Sequence, residues 1–430
     1  MDCVPLTILE HQTVPVGGDG TGMITSDELE QLAQLAADRP GFCQLGYRSV
    51  KFAQYAGLVR MGDRLLEILP KVEDSCTDVA FSRNTFLCML SLASNTDMHL
   101  GRDVAHGDHG QTLLEIFIRA FFDALTSLIR GGLLRRYRSV EDDLPVLRGR
   151  LDVERQATVH AMRFDRLACR FDELTADNEW NRALHYALHV LRPWSGKGEL
   201  GRRWFELAAA LSDIALVPVT PAEIAAFRYD RQVTHYRSAM QWAKWIIREL
   251  SPNVRAGESE ACEMLFDMNR LFESAVAASM EAKAEGGPYS VMRQDRTTFL
   301  ATLLNGRSGK QVNALRPDIV IRKGSSIAAI ADTKWTRVSS DKDGYLIPDN
   351  AHMYQMLAYA SAYRCENLAL IYPWHEGIAN AKPTTYALPQ IDAHRPKVHL
   401  LCVNTSADQL GLIWSAGAPA FLGLFNVEPC

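Results

Sequence analysis

The segment from Leu315 to Trp335, LRPDIVIRKGSSIAAIADTKW, constrains the fold of this chain more than any other stretch. It contains two short apolar runs rich in β-branched residues, 318–321 and 327–331, separated by a polar turn that includes Gly324. Short apolar runs joined by a glycine-containing turn are typical of a β-hairpin. We therefore predict a hairpin whose two strands are largely buried.

The predicted hairpin brings acidic residues together at its open end. The simplest register pairs Arg322 with Ile327 across the turn. Asp318 then lies opposite Ala331, because antiparallel partners are matched one to one away from the turn. Asp332 is the next residue on that strand, so two carboxylates that are distant in the chain are predicted to meet.

A lysine completes the predicted cluster. Lys334 follows Asp332 by two residues, so both side chains project from the same face of the strand. A hard divalent cation such as Mg²⁺ prefers carboxylate oxygens and activates water for attack on a phosphodiester. The lysine would orient or deprotonate that water, or balance the charge of the transition state. This grouping predicts metal-dependent phosphodiester hydrolysis.

The aspartate followed by Asp-x-Lys resembles the core of the PD-(D/E)xK nucleases, written here Pro317-Asp318 and Asp332-Thr333-Lys334. An acid-x-Lys triplet alone is a weak motif without its structural context. A second copy, residues 281–283, lies in a predicted helix and has no acid-bearing hairpin, so we discount it. The alternative interpretation of Asp332 and Lys334 is an exposed ion pair on an edge strand.

The nuclease resemblance implies Mg²⁺ or Mn²⁺ bound by Asp318, Asp332 and the backbone of Thr333. A helix is predicted from Glu258 to about Ala284, and in this superfamily the helix before the core often lends an acid to the metal. The resemblance thus makes Glu273 a candidate third carboxylate, and a solvated helix glutamate remains the alternative.

A motif downstream of the hairpin supports the same interpretation. Gln355 and Tyr359 are one helical turn apart, beside His352, on a helix that Asp349 or Asn350 can cap. Their spacing resembles the Q-x3-Y motif of several nucleases of this superfamily. That resemblance implies contacts with the substrate and with the lysine, and the substrate-binding candidates are Gln355, Tyr359 and Arg316.

Four motifs, in this order, look like McrC, the nuclease subunit of the McrBC modification-dependent restriction system. They are Leu147-Arg148-Gly149-Arg150, Phe171-Asp172-Glu173-Leu174, Asn178 with Asn181-Arg182, and the hairpin itself. The likeness covers roughly residues 80 to 430. It implies a DNA endonuclease subunit that cuts double-stranded, methylcytosine-containing DNA and stimulates the GTPase of a McrB-like AAA+ hexamer.

The partner is predicted to supply the nucleotide chemistry. The run Gly306 to Lys310 has the wrong spacing for a phosphate-binding loop, so we predict that this chain binds no nucleotide. Arg148 and Arg150 are partner-binding candidates, because guanidinium groups recognise phosphates and acidic surfaces. The acidic residues 141–143 lie close by in sequence, so a charge-compensated surface is the alternative.

Length and composition set the remaining expectations. The 430 residues are predicted to form a small β-rich domain (1–80), a mostly helical partner-docking region (81–255) and an α/β nuclease domain with a mixed sheet (256–430). We expect a cytoplasmic protein without a membrane segment, because no long apolar run and no signal peptide are present. His106 and His109 are interpreted as part of a solvated loop.

Two other functions fit parts of the sequence. One is a free-standing DNA repair nuclease of the RecB type, although the long N-terminal half and the missing four-cysteine pattern of iron–sulfur nucleases argue against it. The other is a non-catalytic adaptor that activates an AAA+ motor. The intact Asp318, Asp332 and Lys334 argue against the adaptor.

Overall fold

The computed structural model describes residues 6–18, 22–61, 64–71, 79–94, 112–163, 165–196, 198–250, 263–303, 310–390, 395–405 and 413–414. The chain forms two compact units, Met1–Leu113 together with Glu263–Cys430, and Leu114–Cys262. The division into three domains at about residues 80 and 255 stays a prediction. His106 and His109 lie outside the described residues, as does most of the segment 306–310.

The first unit begins with two small sheets and two helices. The strands are β1 Leu6–Leu9, β2 Thr13–Pro15, β3 Cys43–Gly46, β4 Ser49–Phe52, β5 Tyr55–Met61 and β6 Arg64–Leu69, and the helices are α1 Ser26–Asp38 and α2 Val79–Ser94. Strand β6 lies between β1 and β5, and β4 lies between β2 and β3. A capping box of Thr25 and Glu28 starts α1.

The second unit contains a three-stranded antiparallel ribbon and a group of helices. Its elements are α3 Leu113–Gly131, β7 Arg136–Leu144, β8 Arg150–Leu151, α4 Val153–Thr158, β9 Leu167–Thr175, α5 Glu179–Val190, α6 Glu199–Ala210, α7 Pro221–Ala225 and α8 Arg237–Leu250. Strand β9 lies between β7 and β8. Among the described residues, no helix combines the length and apolar character needed to cross a membrane.

The Asn-x2-Asn motif stabilises the start of α5 in this unit. Asn178 caps the helix by accepting from the backbone of Trp180 and Asn181. The amide of Asn181, which is fully buried, donates to the carbonyls of Leu134 and Ala176 at 2.9 and 2.7 Å. The Tyr236 hydroxyl donates to the Asn181 side chain at 2.7 Å. These asparagines therefore satisfy buried polar groups.

The chain returns to the first unit with a strand where we predicted a helix. Residues Glu263–Asp267 form β10, which pairs antiparallel with β5, and α9 spans only Met268–Ala284. The helical prediction was wrong over 263–267, because β5 offers a free edge that an apolar run can join. The Asp267 side chain accepts from Asn269 and Arg270 and so starts the helix after the strand.

A larger mixed sheet fills the rest of the first unit. The remaining elements are β11 Tyr289–Arg293, β12 Phe299–Leu303, β13 Lys310–Ala314, β14 Ile319–Lys323, β15 Ser326–Thr333, β16 Ser339–Ser340, β17 Leu346–Ile347, α10 Asn350–Tyr363, β18 Asn367–Pro373, β19 Thr384–Ala387, β20 Lys397–Asn404 and β21 Ile413–Trp414. The order in the sheet is β11-β14-β15-β18-β20-β19, and β21 also pairs with β20.

The central strands of this sheet are buried and carry the expected connectivity. Strands β14 and β15 form the predicted hairpin, while β15, β18 and β20 run parallel, with α10 as the crossover between β15 and β18. Their core includes Val320, Ile330, Leu368 and Val398. The predicted mixed α/β fold class is confirmed.

Two buried glutamates tie the N-terminal sheets to the rest of the first unit. Glu67 is fully satisfied, with Arg83 donating to both of its oxygens and Thr7 and the Leu113 amide donating as well. Glu10, only 2% exposed, accepts from the indole of Trp335 at 2.9 Å, and its Oε2 has no hydrogen-bond donor among the described residues. Burial raises the pKa of Glu10 from 4.5 to about 7.

We expect Glu10→Gln to remove a specific pH dependence of stability. Between pH 4.5 and about 7 the folded protein keeps a proton on Glu10 that the unfolded chain has released, so the free energy of unfolding falls as pH rises. The difference between wild type and Glu10→Gln should change by about 3 kcal/mol across this window. Urea denaturation at several pH values measures it, with the exposed Glu30→Gln as control. Parallel curves for wild type and Glu10→Gln would contradict the prediction.

Candidate active site

The hairpin register differs from the predicted one by a β-bulge. Arg322 pairs with Ile327 as predicted, but the register then shifts, so that Ile319 rather than Asp318 lies opposite Ala331. One extra residue on β15 causes this shift, because a bulge places two residues against one. Asp318 therefore comes next to Asp332 itself, which is the correction to our prediction. The bulge brings the two carboxylates closer than a regular hairpin would.

Asp318 is held across the end of the hairpin by Thr333. Its Oδ2 accepts from the backbone amide of Thr333 at 2.7 Å and from the Thr333 hydroxyl at 2.8 Å. The backbone carbonyl of Asp318 accepts from the amide of Gln294 at 2.9 Å. These bonds fix the position of the carboxylate and leave its Oδ1 without a recorded donor in the part of the chain that the structure describes.

Asp332 is a buried carboxylate with a strongly shifted titration. It is 1% exposed, and its Oδ1 accepts from the side chain of Gln355 at 3.1 Å. Its Oδ2 forms an ion pair with Lys334. Burial raises the pKa of Asp332 to about 7, the charge of Asp318 acts in the same direction, and Lys334 opposes both. The predicted cluster of Asp318, Asp332 and Lys334 is therefore present, and Asp332 is not on an exposed edge.

Helix α10 supplies the Q-x3-Y pair that holds the lysine. The Lys334 ammonium donates to Gln355 Oε1 at 2.9 Å, and Gln355 Nε2 donates to the Tyr359 hydroxyl at 2.7 Å. Tyr359 in turn donates to the backbone carbonyl of Arg316 at 3.0 Å. Residues one turn apart share a helix face, so the glutamine and tyrosine reach the same cluster. Gln355 thus bridges Lys334 and Asp332.

Glu273 lies at the edge of this cluster and is half-buried. Burial and the charge of Asp318 raise its pKa, so it is an electrostatic neighbour of the aspartate pair. Its Oε1 accepts from Gln294 Nε2 at 2.7 Å, and Gln294 Oε1 accepts from the guanidinium of Arg316. Sequence reasoning missed Gln294, which has no motif. Its positive φ of 49°, rare for glutamine, is visible only in three dimensions.

The carboxylates fit a hard divalent cation to a limited extent. Among the described residues, no group of three or more His, Cys, Asp or Glu side chains is arranged to hold a metal ion. Mg²⁺, however, is often bound through one or two carboxylates, with water and substrate phosphates completing the shell. The buried Oδ2 of Asp332 is ion-paired with Lys334, and the Oδ1 of Asp318 has no recorded donor in the part of the chain that the structure describes. Asp318 and Asp332 are therefore the two candidate carboxylate ligands.

The arginine candidates lie in the second unit. The Arg148 guanidinium stacks 4.1 Å from the ring centroid of Phe171 and lies 3.6 Å from Glu173, and Arg150 is exposed on β8. Gly149 has φ of +70°, and an added Cβ would come within 2.5 Å of the Arg170 carbonyl. The glycine of the Leu-Arg-Gly-Arg motif is therefore required by backbone packing.

We expect Tyr359→Phe to destabilise the first unit. The change leaves the Gln355 amide short of an acceptor and the Arg316 carbonyl short of a donor, which costs about 1–3 kcal/mol of unfolding free energy. Tyr354→Phe, on an exposed tyrosine of the same helix, is the matched control and should stay within about 0.5 kcal/mol of wild type. Chemical denaturation measures both. Equal values for the two variants would show that the Tyr359 hydroxyl does not hold the cluster.

Comparisons with known proteins point to one system. The fold is similar to a chain of a refined half-complex from the tetradecameric assembly of Thermococcus gammatolerans McrB AAA+ hexamers with bound McrC, with a TM-score of 0.68, 18% identity and coverage of 93% of this chain and 94% of that chain. It also matches a chain of the Thermococcus gammatolerans McrBC complex, with a TM-score of 0.52, 20% identity and coverage of 65% and 88%.

The sequence comparisons agree with the fold comparison. No curated protein matches the sequence. A family model described as McrBC 5-methylcytosine restriction system component matches residues 50–373, which include the ribbon of the second unit and the Asp318, Asp332 and Lys334 cluster. This chain belongs to the family of McrBC 5-methylcytosine restriction system components.

Proposed function

We propose that this chain is the metal-dependent DNA endonuclease subunit of a McrBC-type restriction complex. The observation that carries the proposal is the bulged hairpin, which sets Asp318 beside the buried Asp332 and Lys334. This arrangement has the composition of a PD-(D/E)xK centre, and Gln355 and Tyr359 complete it. The family match supports the restriction system, and methylcytosine-containing double-stranded DNA is the proposed substrate.

In this proposal, different residues of the chain have different catalytic roles. Asp318 and Asp332 would hold Mg²⁺ or Mn²⁺, which supplies Lewis acidity and lowers the pKa of bound water. Glu273 and the Thr333 backbone are candidates for further ligands. Lys334, held by Gln355 and Asp332, would orient the attacking water or balance the charge that develops on the phosphate. Arg316 and Tyr359 would help to position the DNA strand.

We expect Asp332→Ala and Lys334→Ala each to reduce cleavage of methylated plasmid at least about 100-fold, since each removes a charge from the reacting centre. The assay contains Mg²⁺, GTP and the candidate ring partner, and gel electrophoresis follows linear product. Omitting Mg²⁺ should abolish cleavage by wild type.

The chain offers a matched control in its second acid-x-Lys triplet. Lys283→Ala removes an exposed lysine from α9, away from the hairpin, and should cut at the wild-type rate. Wild-type rates for Asp332→Ala and Lys334→Ala would sink the nuclease proposal and favour a non-catalytic adaptor. Cleavage by wild type without a partner or GTP would favour the free-standing repair nuclease.

We propose that the partner is an AAA+ GTPase hexamer of the McrB type, as in the structure of Thermococcus gammatolerans McrB AAA+ hexamers with bound McrC. The second unit presents a surface suited to such docking. The ribbon tip, residues 145–163 and 165–166, lies between β7 and β9 and carries exposed apolar side chains at Val146, Val159 and Met162. Exposed apolar clusters mark interaction sites. Arg148 and Arg150 lie on the same tip.

We expect Met162→Asp to weaken complex formation with the ring and to reduce GTPase stimulation about tenfold or more, because it places a charge in the proposed apolar contact. Met162 is 88% exposed, so the fold should tolerate the change. Phe205→Asp, at another exposed apolar position of the same unit, is the matched control. Size-exclusion chromatography and GTP turnover measure both. A loss equal in the two variants, or absent in both, would contradict docking through the tip.

A further inference from the structure

A cavity of about 310 Å³ lies beside Lys334 in the first unit. Its lining includes Lys334 and Arg337, which follow β15, and Asn269 from the first turn of α9. The segment between β15 and α10 forms part of its wall through Val338 and Ile347. Lys334 therefore borders both the carboxylate cluster and this cavity.

The charge of the cavity is opposite to that of the carboxylate cluster. Two cationic side chains, Lys334 and Arg337, line it. Asp349 is the one carboxylate among the lining residues that the structure describes, and its Oδ1 already accepts from the Ala351 amide as the cap of α10. On one side of Lys334, Asp318 and Asp332 would attract a metal cation. On the other side, the cationic lining of the cavity would attract an anion.

Helix geometry adds to the positive potential. Asn269 lies in the first turn of α9, and Asp349 caps α10, so the N-termini of two long helices reach the same cavity. Each helix N-terminus carries a partial positive charge of roughly half an elementary charge, and phosphate groups bind such helix ends. The capping carboxylates Asp267 and Asp349 neutralise part of this charge.

His352 supplies a hydrogen-bond donor to the same cavity. Its Nδ1 lies 3.0 Å from the hydroxyl of Tyr372, for which no other acceptor is recorded in the described part of the chain. Tyr372 therefore donates to Nδ1, and a neutral imidazole that accepts at Nδ1 carries its proton on Nε2. Burial and the charge of Lys334 lower the pKa of His352. No partner is recorded for Nε2 in the described ranges.

We propose that this cavity is a subsite for a backbone phosphate of the DNA strand that is cut, adjacent to the phosphate at the carboxylate cluster. His352, Lys334 and Arg337 bind it, and Asn269 borders it. The subsite rests on the proposed nuclease function and deepens it, since it assigns the strand a position on the cavity side of Lys334. Asp318 and Asp332 act on the scissile phosphate, and the subsite holds its neighbour.

The test changes the charge of the cavity without touching the carboxylate cluster. Asn269→Asp introduces a negative charge into the first turn of α9, where an acidic residue favours the helix. Asn350→Asp makes the same change in the first turn of α10, at an exposed residue that does not line the cavity. His352→Ala removes the proposed donor. All are made in the full chain.

Binding is measured by fluorescence anisotropy with a short labelled duplex in Ca²⁺, over a series of salt concentrations, and cleavage is measured separately in Mg²⁺ with GTP and the ring partner. We expect Asn269→Asp and His352→Ala to raise the Kd about tenfold and Asn350→Asp to leave it within about twofold of wild type. The slope of log Kd against log salt should fall by about one for Asn269→Asp, as for the loss of one phosphate contact.

The outcomes separate the subsite from the nuclease proposal. Equal binding by Asn269→Asp and Asn350→Asp, together with cleavage by wild type, overturns the subsite and leaves the nuclease function standing. Absence of cleavage by wild type, with binding that depends on Asn269 and His352, overturns the nuclease function and supports a phosphate site. Wild type that neither binds nor cuts DNA overturns both.

Discussion

The burial of Asp332 is the constraint on which the rest of the larger mixed sheet depends. A carboxylate taken out of water loses several kcal/mol of solvation even after the protein relaxes around it. Lys334, Gln355 and Tyr359 lie around this group and offset part of that cost. The pKa of about 7 shows that the compensation is incomplete. A bound cation would complete it, so the folded site is stable but electrostatically unsatisfied without one.

Trp335 links the carboxylate cluster to the N-terminal sheets. Its indole donates to Glu10, and its ring centroid lies 5.2 Å from that of Phe272, which precedes Glu273 on α9. Strand β10 joins the N-terminal sheet directly to that helix. These contacts therefore join the N-terminal sheets to the larger mixed sheet, although about half of the chain's length separates the two in sequence. The continuity explains why residues 1–113 and 263–430 form one compact unit.

Short sequence patterns predicted the features that depend on interactions between residues close together in the chain. The hairpin, the start of α10 and the one-turn spacing of Gln355 and Tyr359 are all short-range features, and all are present. The bulge, which places Asp318 opposite Asp332, was not predictable from short patterns, because it depends on how the strands pack in the sheet. Gln294 was missed for a related reason, because its contacts join residues about twenty positions apart. Strand β10 depends on a distant edge and looked helical in isolation.

We propose that the bulged hairpin forms a metal-dependent catalytic centre. Anomalous diffraction from crystals of the full chain soaked in Mn²⁺ tests this proposal. We expect an anomalous peak between Asp318 and Asp332, at about 2.1 Å from an oxygen of each. A peak at other residues, or no peak in protein that cuts DNA in Mn²⁺, would contradict it.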